Sequence, residues 1–407
     1  AQVRGNGNNG NGSCDLPSGT QGNNGVIRPE DGECVPSNCI QNDYNGPKCE
    51  PFLPPSTDGI NTNPEALDIG PKGERYDLSS VEEGKTNPIF TGGTLVVDKS
   101  GPTTSQNFSV KEVEGNTIDS YGHYVLFKGS FEGKGGLTFI GSDDDYEIQL
   151  EGNVGYEGET IVKTSGGVAL VIQNKDAAPK GDITIKDGAI LRLRGDDIEL
   201  DGNVVLEGGT ISVFGEAIRI KGDVELKDGQ SKFYVNEKLP RGIKNANDEF
   251  TRPEINGVIS GPGGLIKSGK GFLVLKGKNT YSGNTKIAQG QLYVGQGGSL
   301  SPQTDVEVLE NGVYVVASSD EIGALTGNGK VSLEKNPALS VGYGDKDFEF
   351  GGNIEGADAD SKFIKIGQGK GVLSGMNAYG SLMVEGGQLD INGANIDTQG
   401  MDPSEAS

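Results

Sequence analysis

Short β-prone runs separated by glycine pairs are the feature of this sequence that most restricts its fold. Apolar and polar residues alternate in these runs, as they do in strands with one buried face, for example in residues 181–185, 189–193, 203–206 and 209–213. Each run buries too little apolar surface to be stable alone, so successive turns of chain must stack to form a core. The pattern predicts an all-β fold, a right-handed parallel β-helix (β-solenoid) with about 20–25 residues per turn.

The composition favours a narrow core that repeats along the chain. Only 33% of the 407 residues are hydrophobic, 68 are glycine and none is tryptophan, which is too little apolar material for one wide globular core. The formal net charge of −23 argues against nucleic acid as a partner, because phosphate contacts need clustered lysine and arginine. The same charge keeps a long β surface soluble without requiring any partner.

All cysteines lie in the first 50 residues, within a segment rich in glycine, asparagine and proline: Cys14, Cys34, Cys39 and Cys49. An even, clustered set of this kind predicts two disulfides that staple a small loop-rich module, and three connectivities remain open. Zinc is the competing interpretation, but no C-x-x-C pair or nearby histidine supports it. The cysteines therefore indicate an oxidising compartment.

The composition changes along the chain and predicts four parts. Residues 1–50 form the cysteine-rich module, residues 51–75 a proline-rich linker, residues 76–401 the β-helix and residues 402–407 a tail. The module could cap the open end of the solenoid or act as a receptor-binding head. No stretch approaches the roughly 20 apolar residues of a membrane span, and the first residues contain no apolar signal segment, so a secretion signal is expected to have been removed.

A longer repeated motif lies in the second half of the chain. It reads ISGPGGLIKSGKGFLVL over residues 259–275, then GKNTYSGNT over 277–285 and GQL over 290–292. A degenerate second copy occupies parts of residues 354–389, and a weaker echo occupies parts of 131–168. Glycines permit positive φ at tight corners, Asn279 is expected to hydrogen-bond its own backbone in a turn, and the aliphatic residues are expected to point inward.

This motif resembles the passenger-associated transport repeat of bacterial autotransporters. The resemblance implies a cell-surface or secreted passenger domain, exported through an outer-membrane β-barrel translocator of the same precursor. We expect a non-catalytic adhesin or host-factor-binding virulence protein, whose partner is a host-cell receptor or an extracellular protein. The alternative is the β-helical stalk of an autotransporter enzyme, most plausibly a subtilisin-like protease, whose catalytic domain is outside this chain.

The residues that could carry catalysis are few. His123 is the single histidine, and the G-x-S-x-G pattern of a serine nucleophile is absent. Parallel β-helices also host glycosidase and lyase chemistry, for which Asp143–Asp145 and Asp196–Asp197 could supply carboxylates with or without calcium. Acidic clusters at β-turns are usually solvated corners, however, and the absence of tryptophan weakens a sugar-cleaving groove. The sequence predicts no enzyme activity, no cofactor and no metal.

Arg194, Gly195 and Asp196 form the one short motif with a known recognition mechanism. In integrin ligands an exposed turn offers the aspartate carboxylate to a receptor-bound metal and the arginine to an acidic pocket. The tripeptide lies between two predicted strands, where a corner would expose it, although an ordinary turn is the competing interpretation. These residues are the candidate ligand-binding site. Self-association through the long β faces is possible, but no large apolar patch requires it.

Overall fold

The computed structural model describes residues 67–83, 87–141, 146–237, 252–295 and 297–397. Closer to the N-terminus it describes the backbone of three short strands, Ser13–Cys14, Gly25–Ile27 and Cys34–Pro36, which pair antiparallel as one small sheet. The predicted disulfides of Cys14, Cys34, Cys39 and Cys49 lie outside the residues whose side chains are described. Among the described residues, no helix has the length and apolar character needed to cross a membrane.

The main body is a parallel β-solenoid of about 14 turns. In each turn, which we call a rung, the chain passes three sides of the solenoid in the same order, and we name these sides faces 1, 2 and 3. The strands of one side do not all belong to one hydrogen-bonded sheet. Face 1 contains these strands: Arg75–Asp77, Thr94–Val96, Thr117–Asp119, Leu137–Gly141, Thr160–Thr164, Ile183–Ile185, Val204–Leu206, Val224–Leu226, Ile259–Ser260, Asp320–Ile322, Ala338–Val341, Lys362–Lys365 and Ser381–Val384.

Two long strands, Thr285–Val294 and Val306–Val316, run from face 2 into face 3 without a break. The other strands of face 2 are Thr103–Thr104, Val125–Phe127, Glu147–Leu150, Ala169–Ile172, Ile190–Leu193, Thr210–Val213, Gln230–Val235, Gly264–Ser268, Leu325–Gly327, Phe348–Phe350, Lys370–Leu373 and Gln388–Ile391. The other strands of face 3 are Asp68–Ile69, Ile89–Phe90, Phe108–Val110, Phe131–Glu132, Glu199–Leu200, Arg219–Ile220, Glu254–Ile255, Phe272–Leu275, Lys330–Leu333, Asn353–Gly356 and Asn377–Ala378.

A few elements depart from this scheme. The α-helix Leu78–Glu83 stands where the first rung would have its face 2 strand, and a 3₁₀ turn forms at Lys175–Ala177. At the far end Ala394–Asp397 turns back and pairs antiparallel with Gln388–Ile391. The first strand of the solenoid, Asp68–Ile69, pairs with Ile89–Phe90.

The strand register places side chains of the same kind above one another, so that they form columns inside the solenoid. On face 2, Ile148 pairs with Leu170, Leu170 with Leu191 and Leu191 with Ile211, at steps of 22, 21 and 20 residues. All four side chains are fully buried. Alternation with period two therefore places one apolar column inside and polar residues outside, which confirms the predicted rung length and the parallel stacking.

Corner asparagines and aspartates link each rung to the next. The Asn203 amide N–H donates to Asp182 Oδ1 (2.9 Å), the Asp223 N–H to Asn203 Oδ1 (3.0 Å) and the Val258 N–H to Asp223 Oδ1 (2.9 Å). Asn279 forms a related but buried link, since its Oδ1 accepts from the Ile259 N–H (2.8 Å). The expected bond from Asn279 to its own turn is therefore wrong: its amide bridges neighbouring rungs, where unpaired backbone groups need partners.

Candidate binding surface at the Arg194 corner

The Arg194-Gly195-Asp196 tripeptide forms the corner between the face 2 strand Ile190–Leu193 and the face 3 strand Glu199–Leu200, as the sequence predicts. Its backbone packs directly onto the neighbouring rungs. A Cβ atom on Gly195 would lie 2.4 Å from the Gln173 carbonyl oxygen, and one on Gly215 in the next rung 1.9 Å from the Gly195 oxygen. Only glycine allows this stacking, so the tripeptide is part of a packed column of corners.

The Arg194 guanidinium is held by Glu147, which lies two rungs away on the outer side of face 2. Arg192 reaches the same Glu147 carboxylate, with 3.4 Å between Nη1 and Oε2. The Glu147 side chain is only 13% exposed, against 24% for Arg192 and 35% for Arg194. Two arginines thus share one carboxylate, which leaves a local excess of positive charge on a strongly acidic protein.

Asp196 is exposed, and it also has a structural role. Its Oδ1 accepts a 2.8 Å hydrogen bond from the backbone N–H of Glu216 at the corner of the next rung. This bond has the same geometry as the corner bond from the Val258 N–H to Asp223. Any receptor that takes the Asp196 carboxylate must therefore engage a side chain that already stabilises a corner.

Aromatic rings continue the surface beyond the two arginines. Phe214 lies one rung beyond Arg194, with its ring centroid 5.4 Å from Arg192 Cζ, a cation–π distance. Tyr234 stacks on Phe214 at 5.7 Å between centroids and 28° between planes. Both rings are half-buried. We call Arg192, Arg194, Phe214 and Tyr234, together with Glu147, the arginine–aromatic surface.

A polar cleft of about 520 Å³ lies beside this corner on face 3. It forms where the 3₁₀ turn Lys175–Ala177 replaces a face 3 strand, a turn that Asn174 caps through its Oδ1. Carboxylates dominate its wall, and Lys221 pairs with one of them, Glu199, at 2.7 Å. The lining residues are Asn153, Lys175, Asp176, Ala178, Pro179, Lys180, Asp197, Glu199 and Asp201.

Of the residues considered for catalysis, those that the structure describes do not come together in one site. His123 is half-buried, and its backbone N–H donates to the Ser120 carbonyl at 3.0 Å. Asp143–Asp145 lie outside the described residues. Asp196 and Asp197 lie at the Arg194 corner, and the described part of the chain contains no group of three or more His, Cys, Asp or Glu residues that could hold a metal ion.

Sequence reasoning singled out the tripeptide but missed Glu147, Arg192, Phe214 and Tyr234. These residues are brought together by the register, which places side chains from successive rungs side by side. The available signal was their position at outward-facing sites of successive β runs.

Comparison with known proteins gives one informative similarity. The chain is 28% identical to the BmaC autotransporter adhesin of Brucella suis biovar 1 (strain 1330), in an alignment of 314 positions that covers 72% of the chain. The matched region spans 8% of the length of that adhesin. No protein family model matches the chain, and no solved structure matches it.

The similarity and the fold agree with the transport repeats found in the sequence. A parallel solenoid of short rungs extends from Asp68 to Ile391, and it carries both copies of the repeat. A passenger of this kind is displayed on the cell surface or secreted. The solenoid fold and the similarity over most of the chain are therefore consistent with the passenger sequence of a bacterial autotransporter.

Proposed function

We propose that this chain is a non-catalytic segment of an autotransporter adhesin, and that it binds a host-cell receptor or an extracellular protein. The observation that carries this proposal is the similarity to an autotransporter adhesin over 72% of the chain. The translocator of the same precursor is its partner during export. No feature of the described residues favours the alternative of a protease stalk.

The arginine–aromatic surface is the proposed contact site. Arginine and tyrosine are the side chains most enriched at energetically important positions of protein interfaces, together with tryptophan, which this chain lacks. Arg192 and Arg194 are held at a fixed spacing by Glu147 and by the Phe214 ring. Such a preorganised pair favours a partner that presents carboxylates, because guanidinium groups bind carboxylates in a bidentate manner.

Direct binding tests the proposal. The purified chain is titrated onto cultured host cells and onto a panel of immobilised extracellular-matrix proteins. Saturable binding to one of these surfaces is the expected result, and absence of binding to all of them would overturn the adhesin proposal for this segment.

Two substitutions then locate the contact. Tyr234→Ser is expected to weaken binding roughly tenfold or more, as loss of an interface hot spot does. Tyr343→Ser removes another exposed tyrosine, 42% accessible, from a distant rung, and it is expected to leave binding unchanged. Equal affinity of the two variants would exclude the arginine–aromatic surface.

The integrin interpretation of Arg194, Gly195 and Asp196 has its own test. Asp196→Asn keeps an oxygen that can accept from the Glu216 N–H but removes the charge that a receptor-bound metal requires. Asp223→Asn makes the same change at another corner. Binding lost only with Asp196→Asn would support integrin-like recognition, whereas unchanged binding would assign the tripeptide to corner stacking alone.

A further inference from the structure

The two copies of the transport repeat place a lysine at the same point. Lys267 follows Leu265 and precedes Gly269 in the first copy, and Lys365 holds the corresponding position before Gly367 in the second. Both lysines have 0% relative exposure and lie inside the solenoid, in columns otherwise filled by apolar side chains. Lysine is rarely buried in this way, so the coincidence needs a physical explanation.

Each ammonium group is surrounded by three backbone carbonyl oxygens. Lys267 Nζ donates to the oxygens of Ser268 (2.9 Å), Gly269 (2.9 Å) and Gln289 (3.0 Å). Two of these oxygens belong to the two residues that follow the lysine, and the third belongs to the next rung.

Lys365 repeats this arrangement almost atom for atom. Its Nζ donates to the oxygens of Ile366 (2.6 Å), Gly367 (3.0 Å) and Gly386 (3.1 Å). Three acceptors match the three N–H donors of a protonated amine, and neutral oxygens replace the carboxylate that usually accompanies a buried lysine.

We call each set of three carbonyl oxygens around a lysine ammonium group a cage. The cage around Lys267 lies where the backbone hydrogen-bond ladder between two rungs is interrupted. On face 2 the pairing of the two rungs ends at Lys267 and Ile287, and on face 3 it resumes at Phe272 and Gln291. Between these points the chain turns through Gly269 at φ +74°. The carbonyls of such a corner point inward and need donors, which the lysine supplies.

The weaker echo of the repeat provides an internal comparison. It carries Phe139 where the two copies carry lysine, and Gly141 where they carry the corner glycine. There the Gly141 oxygen accepts from the Ser165 backbone N–H at 2.8 Å, and the Ser165 hydroxyl lies 3.4 Å away. A corner without lysine thus obtains donors from the next rung itself.

We infer that Lys267 and Lys365 occupy two internal binding sites for a primary ammonium group, each built from three carbonyl oxygens that join one corner to the next rung. The ligand of each site is the side chain of the lysine itself, which the surrounding backbone carbonyl oxygens bind. Burial lowers the pKa of both amines, that of Lys267 to about 7, because removal from water disfavours the charged form. This inference concerns the solenoid itself and does not depend on the adhesin proposal.

Chemical rescue tests the inference. Lys267→Ala removes three methylenes and the ammonium, a shape that n-propylammonium restores. The thermal unfolding midpoint of the full chain is measured at neutral pH with n-propylammonium chloride, with tetramethylammonium chloride and with n-propanol. Tetramethylammonium has the charge without N–H donors, and propanol has similar bulk without the charge.

The expected result is a midpoint for Lys267→Ala at least about 3 °C below that of the wild type, partly restored by n-propylammonium alone. Lys286→Ala serves as the matched control, because Lys286 lies on the next rung but points outward with 44% exposure, and its midpoint is expected to stay unchanged. If Lys267→Ala does not fold, refolding it in n-propylammonium is expected to recover the native circular dichroism spectrum.

Lys365→Ala, which alters the second cage, is expected to respond to the amine in the same way. Wild-type stability for Lys267→Ala, or equal effects of all three additives on both variants, would overturn the inference.

Discussion

The regular rungs of residues 183–226 and the repeat rungs of residues 259–322 share one architecture but differ in what lies inside. In the regular rungs the inward columns are aliphatic, and polar links between rungs lie at exposed corners. In the repeat rungs the interior also contains charged and polar side chains, among them Lys267, Asn279, Tyr281, Thr285, Thr304, Tyr314 and Asp320.

The buried groups of the repeat rungs form connected hydrogen bonds. The hydroxyls of Tyr281 and Thr285 lie 2.6 Å apart, and Thr285 lies 2.7 Å from Thr304, whose hydroxyl donates to the Gly283 carbonyl. Tyr156 and Thr160 make the equivalent contact in the echo of the repeat.

A buried carboxyl group lies further along the interior of the repeat rungs. Asp320 accepts from the Tyr314 hydroxyl and from the Leu300 backbone N–H at 2.8 Å. An apolar column accepts any neighbouring apolar side chain of similar size. A polar network in which every donor and acceptor is paired fits only one register of the stacked rungs. The repeat rungs should therefore fix the register of the stack, while the regular rungs contribute stability that depends mainly on buried area.

The largest expected effect comes from the regular rungs. Leu191→Ala leaves a cavity between Leu170 and Ile211 and is expected to lower the free energy of unfolding by about 2–5 kcal/mol. Urea titration followed by circular dichroism measures the change. A loss below 1 kcal/mol would show that the rung collapses around the cavity, contrary to a close-packed column.

The second effect depends on pH. Burial raises the pKa of Asp320 to about 7 from an ordinary value of 3.8. The folded chain therefore binds an extra proton between these values, so this group stabilises the fold below about pH 4 and its contribution is lost as the pH rises to 7.

Asp320→Asn is expected to remove this slope, on the order of 1 kcal/mol per pH unit, from urea titrations between pH 4 and 7. Asp223→Asn, at an exposed corner, should keep the wild-type slope. Parallel profiles for wild type and Asp320→Asn would contradict the prediction.

A third prediction concerns a buried asparagine. Asn279→Ala leaves the buried Ile259 N–H without its acceptor, whereas the Ser299 carbonyl keeps the backbone N–H of residue 279 as a donor. The change is expected to cost about 2 kcal/mol. The same urea titration measures it. Stability within 0.5 kcal/mol of the wild type, a range typical of surface changes, would mean that water replaces the amide.

The smallest effect is expected for the exposed counterpart. Asn203→Ala removes the acceptor of the Asp223 N–H at a solvated corner and should cost about 0.5–1 kcal/mol, since water takes the place of the amide. A cost equal to that of Asn279→Ala would remove the distinction between the two regions.

The sequence predicted the fold because the fold depends on local period. Alternation with period two marks the strands, and glycines mark the corners, so the two together determine the rung length. The alternation around Leu191 is enough to show that this position faces inward, as do the residues it pairs with on neighbouring rungs. The position of Arg194 at a corner followed from the same pattern.

Other features could not be predicted because they arise between rungs. Phe214 and Tyr234 meet through a register that a single sequence does not display. Lys267 was overlooked as an interior residue because lysine is normally exposed, and nothing local shows that three carbonyls will surround it. The link from Asn279 to the neighbouring rungs was missed for the same reason.

Native-state hydrogen exchange, followed by mass spectrometry across the whole chain, tests the contrast between the two regions most directly. We predict that amides of Thr285–Val294 and Val306–Val316 exchange more slowly than those of Ile190–Leu193 and Thr210–Val213, because each long strand spans two faces and must open together with the buried polar groups beside it. Equal rates, or faster exchange in the repeat rungs, would contradict the claim that the repeat rungs fix the register of the stack.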